Sequence, residues 1–66
     1  MSEIEALKAE IKKLSAKATQ AKMDLHDLSE ELPVNWRQIP EVAQRAQEAY
    51  ALLEKKRAEL KNLETA

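Results

Sequence analysis

The sequence predicts an all-α fold, an antiparallel helical hairpin that pairs with a second copy into a four-helix bundle or assembles into a higher oligomer. Two segments carry apolar residues at alternating spacings of three and four, the pattern of helices that pack along one coiled-coil-like seam. The 66-residue chain has no glycine, and its two prolines, Pro33 and Pro40, lie close together near the middle. Such a composition is typical of two helices joined by one short connector.

The first helix is predicted over about residues 3–32. Ser2 and Glu5 form a capping box at its start, where the Ser2 hydroxyl accepts a hydrogen bond from the Glu5 N–H. Pro33 ends the helix because the residue before a proline is pushed out of the α region. The seam residues occupy the a and d positions of a heptad repeat: Ile4, Leu7, Ile11, Leu14, Ala18, Ala21, Leu25, Leu28 and Leu32.

The connector is predicted at residues 33–38 and the second helix at about residues 39–64, within a single domain of residues 1–66. Two starts of the second helix stay open. Asn35 could cap it with its side chain, or Pro40 could be its first residue, a position where proline is favoured.

The second helix repeats the seam, and its middle carries small residues. Ala18 and Ala21 fall opposite Ala46 and Ala49 once the chain turns back, which allows the two backbones to approach closely. Lys56 is the charged seam member, and we expect its alkyl stem to pack at the rim while its ammonium reaches water. The full seam is Ile39, Val42, Ala46, Ala49, Leu53, Lys56, Leu60 and Leu63.

The small size of the chain predicts self-association. Chains below roughly 70–80 residues usually need disulfides, metals or oligomerisation to be stable. The sequence has no cysteine, so a disulfide or a thiolate metal site is excluded. Basic residues collect towards the open end of the hairpin and acidic residues towards the connector, which predicts a head-to-tail homodimer, or a tetramer built from it.

Composition also disfavours several classes of function. Eleven basic and twelve acidic residues give a formal charge of −1, which disfavours general nucleic-acid binding by the chain as a whole. There is no signal-peptide pattern at the start and no apolar run near the ~20 residues of a membrane span. A cytoplasmic protein is therefore expected. The chain has no Gly-rich phosphate loop and no catalytic-triad order, so we expect no catalytic residue and no enzyme.

A few outward-facing residues are candidates for binding. His26 and Glu30 are one helical turn apart and can converge on one ion, with Asp27 as a neighbouring carboxylate. Imidazole with carboxylate suits Zn, Ni, Cu or Fe, although solvated surface residues give the same pattern. Met23 indicates a second contact face or a scattered surface residue. Trp36 in the connector caps the bundle core or anchors a partner.

One segment has a family likeness. Residues 22–33, KMDLHDLSEELP, resemble the signature of the Rop-like family of small nitrogen-fixation proteins. Trp36 and the segments 4–10, 41–43 and 48–50 are also similar to that family.

The resemblance implies a helical-hairpin oligomer encoded among nitrogen-fixation genes. It implies an accessory protein in nitrogenase assembly or support, with a nitrogen-fixation protein as partner. It also implies metal binding near His26, since nitrogenase maturation handles Fe, S and Mo. The plasmid protein Rop binds paired RNA loops on one face of its bundle, so an RNA-binding bundle is the alternative hypothesis. Pro40 departs from the family pattern, where an ordinary helix former continues the segment.

Overall fold

The computed structural model describes residues 2–65 as two long α-helices folded back on each other. The first and last residues of the predicted domain lie outside that range. Helix α1 runs Glu3–Glu31 and helix α2 runs Ile39–Thr65, with a short 3₁₀ turn at Trp36–Gln38 directly before α2. The hairpin measures 49 × 16 × 13 Å, and the predicted all-α hairpin is confirmed. Neither helix, over the part of the chain described, is long and apolar enough to cross a bilayer.

Helix α1 begins and ends where local chemistry predicts. Ser2 has extended backbone angles of φ −80° and ψ 159°, and its hydroxyl accepts from the Glu5 N–H at 3.1 Å. At the other end Leu32 has ψ 142°, outside the α region. That conformation is expected of the residue before Pro33, whose ring clashes with an α-helical neighbour.

The connector turns the chain through a left-handed residue. Asn35 has φ 60° and ψ 24°, a region in which asparagine is enriched among non-glycine residues because its short side chain bonds locally. Its carbonyl accepts from the Gln38 N–H at 2.9 Å, and the Val34 N–H donates to the Glu31 carbonyl at 2.9 Å. Asn35 therefore adopts the left-handed conformation that glycine usually adopts in tight turns.

The start of α2 matches neither of the two predicted alternatives. Asn35 makes no side-chain cap bond, and it precedes the 3₁₀ turn rather than the α-helix itself. Helix α2 begins at Ile39, so Pro40 is its second residue. Proline is tolerated there because the first N–H groups of a helix have no intrahelical acceptor.

The core is a thin line of seam residues. Ala18 is 1% exposed and Ala46 is 7% exposed, so both small residues belong to the buried part of the seam. Leucine and valine side chains are its other buried members. Within residues 2–65 the buried apolar residues are Leu7, Ala18, Leu28, Val42, Ala46 and Leu53.

The rest of the seam is incompletely covered in one hairpin. Ala21 and Ala49, the other members of the predicted alanine layer, are only half-buried. Towards the helix ends, Leu32 and Leu63 are each 40% exposed. A single hairpin thus leaves a large part of its apolar seam facing water, as the narrow a/d pattern predicts.

Lys56 makes contacts that the sequence alone does not predict. Its side chain is 24% exposed, and its ammonium lies 3.5 Å from Glu10 Oε1 of α1 and 3.7 Å from Glu59 Oε2 of α2. The expected rim position is therefore correct, but the ammonium contacts carboxylates of both helices as well as water.

Candidate interaction and metal-ligating surfaces

The front groove is an open apolar channel between α1 and α2 on one side of the hairpin. It encloses about 400 Å³, and its floor is made by the half-buried seam residues together with Leu52, which is 42% exposed. Exposed leucine beside uncovered alanine indicates a surface that another helix pair could cover. The groove is lined by Leu14, Lys17, Gln20, Ala21, Asp24, Val42, Arg45, Glu48, Ala49 and Leu52.

Charges of both signs form the rim of the front groove. On α1, Lys17 and Asp24 are one heptad apart, both at g positions beside the seam. The Gln20 Nε2 donates to Asp24 Oδ1 at 2.9 Å, which holds that carboxylate at the rim. On α2 the rim carries Arg45 and Glu48. Flanking charges of this kind set the orientation and register of paired helices.

The back surface follows the other edge of α1 and reaches α2 at Arg57. Met23 is 53% exposed there, so it fills no core. The basic members are Lys8, Lys12 and Arg57, and no lining residue is acidic, although Lys8 lies 3.9 Å from Glu64. The surface is therefore positive with a small apolar patch. Its lining is Lys8, Ile11, Lys12, Ser15, Ala16, Thr19, Gln20, Met23 and Arg57.

The histidine segment lies on the exposed side of α1. His26 Nε2 is 3.0 Å from Glu30 Oε1, while His26 Nδ1 is 3.7 Å from Asp27 Oδ1. The Ser29 hydroxyl donates to the His26 carbonyl at 2.7 Å. All three titratable side chains are about two-thirds exposed or more, at 67%, 68% and 72%. The two carboxylates approach opposite ring nitrogens, so they do not face one common point.

These donors fit part of a metal site. His26 Nε2 and Glu30 Oε1 form a pair of ligands suited to a transition metal. Over residues 2–65, however, no group of three or more His, Cys, Asp or Glu side chains is arranged to hold an ion. Four-coordinate or six-coordinate metals need more ligands than that. Water or a second copy of the chain would have to supply them.

The tip patch is a run of exposed apolar residues in and beside the connector. Trp36 is 58% exposed, Val34 is 62% exposed, and Leu32 and Ile39 are 40% and 38% exposed. The Arg37 guanidinium lies 5.5 Å from the Trp36 ring centroid, a cation–π distance. The indole ring therefore does not cover the core of its own hairpin.

Sequence reasoning did not identify Leu52 as a surface residue. It occupies a g position next to the buried Leu53. The sequence does indicate this exposure, because a leucine directly beside a complete seam widens the apolar stripe towards one side of the helix.

Similar proteins were found by sequence and by structure. A UPF0437 protein of Azorhizobium caulinodans is 62% identical over 64 residues, covering 97% of this chain and 93% of its own length. A relative from Frankia alni, named as a UPF0437 protein in the nifX-nifW intergenic region, is 48% identical over 46 residues. That match covers 70% of this chain and 56% of the relative.

The fold has a close solved counterpart. An NMR structure of a structural-genomics target superimposes with a TM-score of 0.87 at 53% sequence identity, covering 98% of this chain and 93% of the other. The resemblance noted from residues 22–33 is confirmed by a family match over residues 2–65. With that match spanning both helices and the connector, this chain belongs to the Rop-like family.

Proposed function

We propose that this chain is an accessory protein of nitrogen fixation that acts by binding protein partners, as a symmetric dimer of helical hairpins. The observation that carries the nitrogen-fixation part is the Frankia alni relative, whose name gives its position between nifX and nifW. Shared family membership over residues 2–65 supports extending that association to this chain.

The surface supports a role in contact with other chains. Residues such as Leu52 and Trp36 expose apolar area that a stable monomer would cover. We therefore assign the chain a binding role.

The front groove is the surface that we assign to the second copy. The core of one hairpin contains few large side chains, and domains of this size seldom reach adequate stability alone. A two-fold axis across the groove, perpendicular to the helices, would lay α1 antiparallel to the partner's α1 and α2 antiparallel to the partner's α2. The half-buried Leu14, Ala21 and Ala49 would then be covered by the same residues of the other hairpin.

The charged rim selects the register of this dimer. In an antiparallel helix pair the g positions of the two helices face each other along the edge of the seam. An axis passing between Gln20 and Ala21 brings Lys17 beside the partner's Asp24 and repeats the contact by symmetry. Both residues already lie on the groove rim.

The overall charge distribution favours the antiparallel arrangement over the parallel one. The open half of the hairpin, residues 1–17 and 52–66, carries eight basic and six acidic residues. The connector half, residues 18–51, carries three basic and six acidic residues. Antiparallel pairing puts unlike halves together, while parallel pairing puts like halves together and is repulsive.

Metal binding by the histidine segment is part of the same proposal. His26 Nε2 and Glu30 Oε1 would provide two ligands for a transition metal ion. Asp27, on the Nδ1 side, would orient the ring, as carboxylates beside metal-bound histidines commonly do. With the remaining ligands contributed by a second copy, the ion would crosslink two chains.

RNA binding is the second candidate function, and the back surface favours it. Three basic side chains and no acidic one line that surface, which suits a phosphate backbone. Binding of an RNA hairpin with a log affinity that falls steeply against log salt would support this alternative. Salt-insensitive or absent binding would contradict it.

Growth on N₂ tests the main proposal. Deleting the gene in the source organism should slow growth on N₂ and lower acetylene reduction, with growth on ammonium unchanged. Complementation with the parent gene should restore both. A gene with Leu14→Glu and Leu52→Glu, which puts charge into the front groove, should fail to restore them.

The matched control is Ala9→Glu, an exposed position outside both surfaces, which should complement fully. Equal growth of the deletion strain and the parent on N₂ would refute the nitrogen-fixation role. Full complementation by the front-groove variant would refute the role of the dimer.

A further inference from the structure

The tip patch and the open end of the hairpin each leave apolar residues uncovered. At the tip, Trp36 and Val34 are more than half exposed. At the open end Leu63 is 40% exposed, and Ile4 and Leu60 are half-buried. The two ends also differ in charge, because basic residues exceed acidic ones in the open half and the reverse holds in the connector half. Each end therefore exposes apolar residues that the other end could cover, and the two ends carry opposite net charge.

The alignment of the two helices follows from their ion pairs. Lys56 lies 3.5 Å from Glu10, and Lys8 lies 3.9 Å from Glu64. These contacts place Gln20 of α1 at nearly the same position along the long axis of the hairpin as Ala49 of α2. A two-fold axis at this level therefore passes through the middle of the front groove.

Distances along the helices then show what lies beside the tip. At 1.5 Å per residue, the connector lies about 15–20 Å from this axis. By the same rise, the partner's Leu60 and Leu63 lie about 17 and about 22 Å from the axis, on the same side as the connector. The tip patch of one hairpin is consequently level with the uncovered open end of the other.

We infer that the connector of each hairpin closes the open end of its partner's core, with the Trp36 ring lying on the partner's Leu60 and Leu63. This inference rests on the proposed dimer. It explains why the only tryptophan of the chain is 58% exposed in a single hairpin. The second copy is the occupant favoured by charge, since Glu31 and Glu41 beside the tip meet the partner's basic open half.

Fluorescence of Trp36 tests this contact, because no other tryptophan contributes. As the protein concentration is raised through the dimerisation range, the emission maximum should shift to the blue and quenching by acrylamide should fall. Leu63→Glu should abolish both changes. Asn62→Glu, the adjacent exposed residue, is the matched control and should keep them.

A mixing experiment separates contact with the partner from contact within one chain. One protein carries Leu63→Glu and keeps Trp36; the other carries Trp36→Phe and keeps Leu63. Mixing them should restore the blue shift, since Trp36 of the first chain then meets the Leu63 of the second.

Sedimentation equilibrium on the same samples distinguishes the two levels of the proposal. A dimer whose tryptophan emission stays that of an exposed indole would overturn the tip contact and leave the dimer standing. No restoration on mixing, although heterodimers form, would also overturn it. A monomer at all concentrations would overturn the dimer itself and the inference with it.

Discussion

Reversing one charge on the rim of the front groove should weaken the dimer in a way that reports its orientation. Lys17→Asp puts a carboxylate opposite the partner's Asp24 in the antiparallel arrangement. The change occurs twice in each dimer because of the two-fold symmetry. Both side chains line the groove but lie outside the buried core, so the fold of the hairpin should be retained.

The magnitude follows from the energies of exposed ion pairs. Each such pair contributes about 0.2–1 kcal/mol, and a like-charge contact costs a similar amount. Each dimer contains the contact twice, so it loses two attractive pairs and gains two repulsive ones. The free energy of dimerisation should therefore become less favourable by about 1–4 kcal/mol. The dissociation constant should therefore rise at least about five-fold. The effect should be largest at low ionic strength, where screening is weakest.

Sedimentation equilibrium at low salt is the assay, and the double variant is the control. Adding Asp24→Lys to Lys17→Asp restores an attractive pair in the antiparallel dimer and should recover most of the affinity. In a parallel dimer Asp24 would lie near the partner's Arg45, so the second change would add repulsion. A double variant that dimerises more weakly than Lys17→Asp alone would refute the antiparallel arrangement.

Three further outcomes are expected. Ala18→Leu should overpack a site that is only 1% exposed and cost about 1–3 kcal/mol, which lowers the melting temperature. Ala9→Leu, at an exposed site, should not change it. An unchanged melting temperature for Ala18→Leu would show that the site is not packed against α2. Asn35→Val should lower the free energy of unfolding by about 1–2 kcal/mol, because valine is disfavoured in the left-handed conformation. Asn35→Gly should have a melting temperature close to that of the parent. Equal melting temperatures for the two variants would contradict the left-handed turn. His26→Ala should abolish Ni or Zn uptake in calorimetric titration without loss of helicity, because it removes the imidazole ligand. Equal uptake by parent and variant would contradict a site at His26 and Glu30.

Local features of the fold were predictable from the sequence. The helix cap at Ser2, the end of α1 at Pro33 and the a/d seam depend on residues near each other in the chain, where spacing and side-chain chemistry decide the conformation. Burial of Ala18 and Ala46 could also be predicted, because both occupy seam positions of the heptad pattern.

Features that depend on tertiary arrangement were harder to predict. The pairing of Lys56 with Glu10 requires the relative level of the two helices, which periodicity alone does not give. The separation of Glu30 and Asp27 to opposite nitrogens of His26 depends on side-chain rotamers. The exposure of Trp36 depends on the path of the connector, whose left-handed Asn35 no helical pattern reveals.

The absence of glycine has a consequence for the denatured chain. Glycine widens the range of conformations that a chain samples when unfolded, and proline narrows it. Here the turn is made by Asn35 between Pro33 and Pro40, so the loss of entropy on folding is smaller than in a glycine-rich connector. Exchanging Pro33 and Pro40 for serine should lower the free energy of unfolding, because the unfolded chain would gain conformational freedom. Part of the stability of this thin-cored hairpin therefore comes from the restricted freedom of its unfolded state.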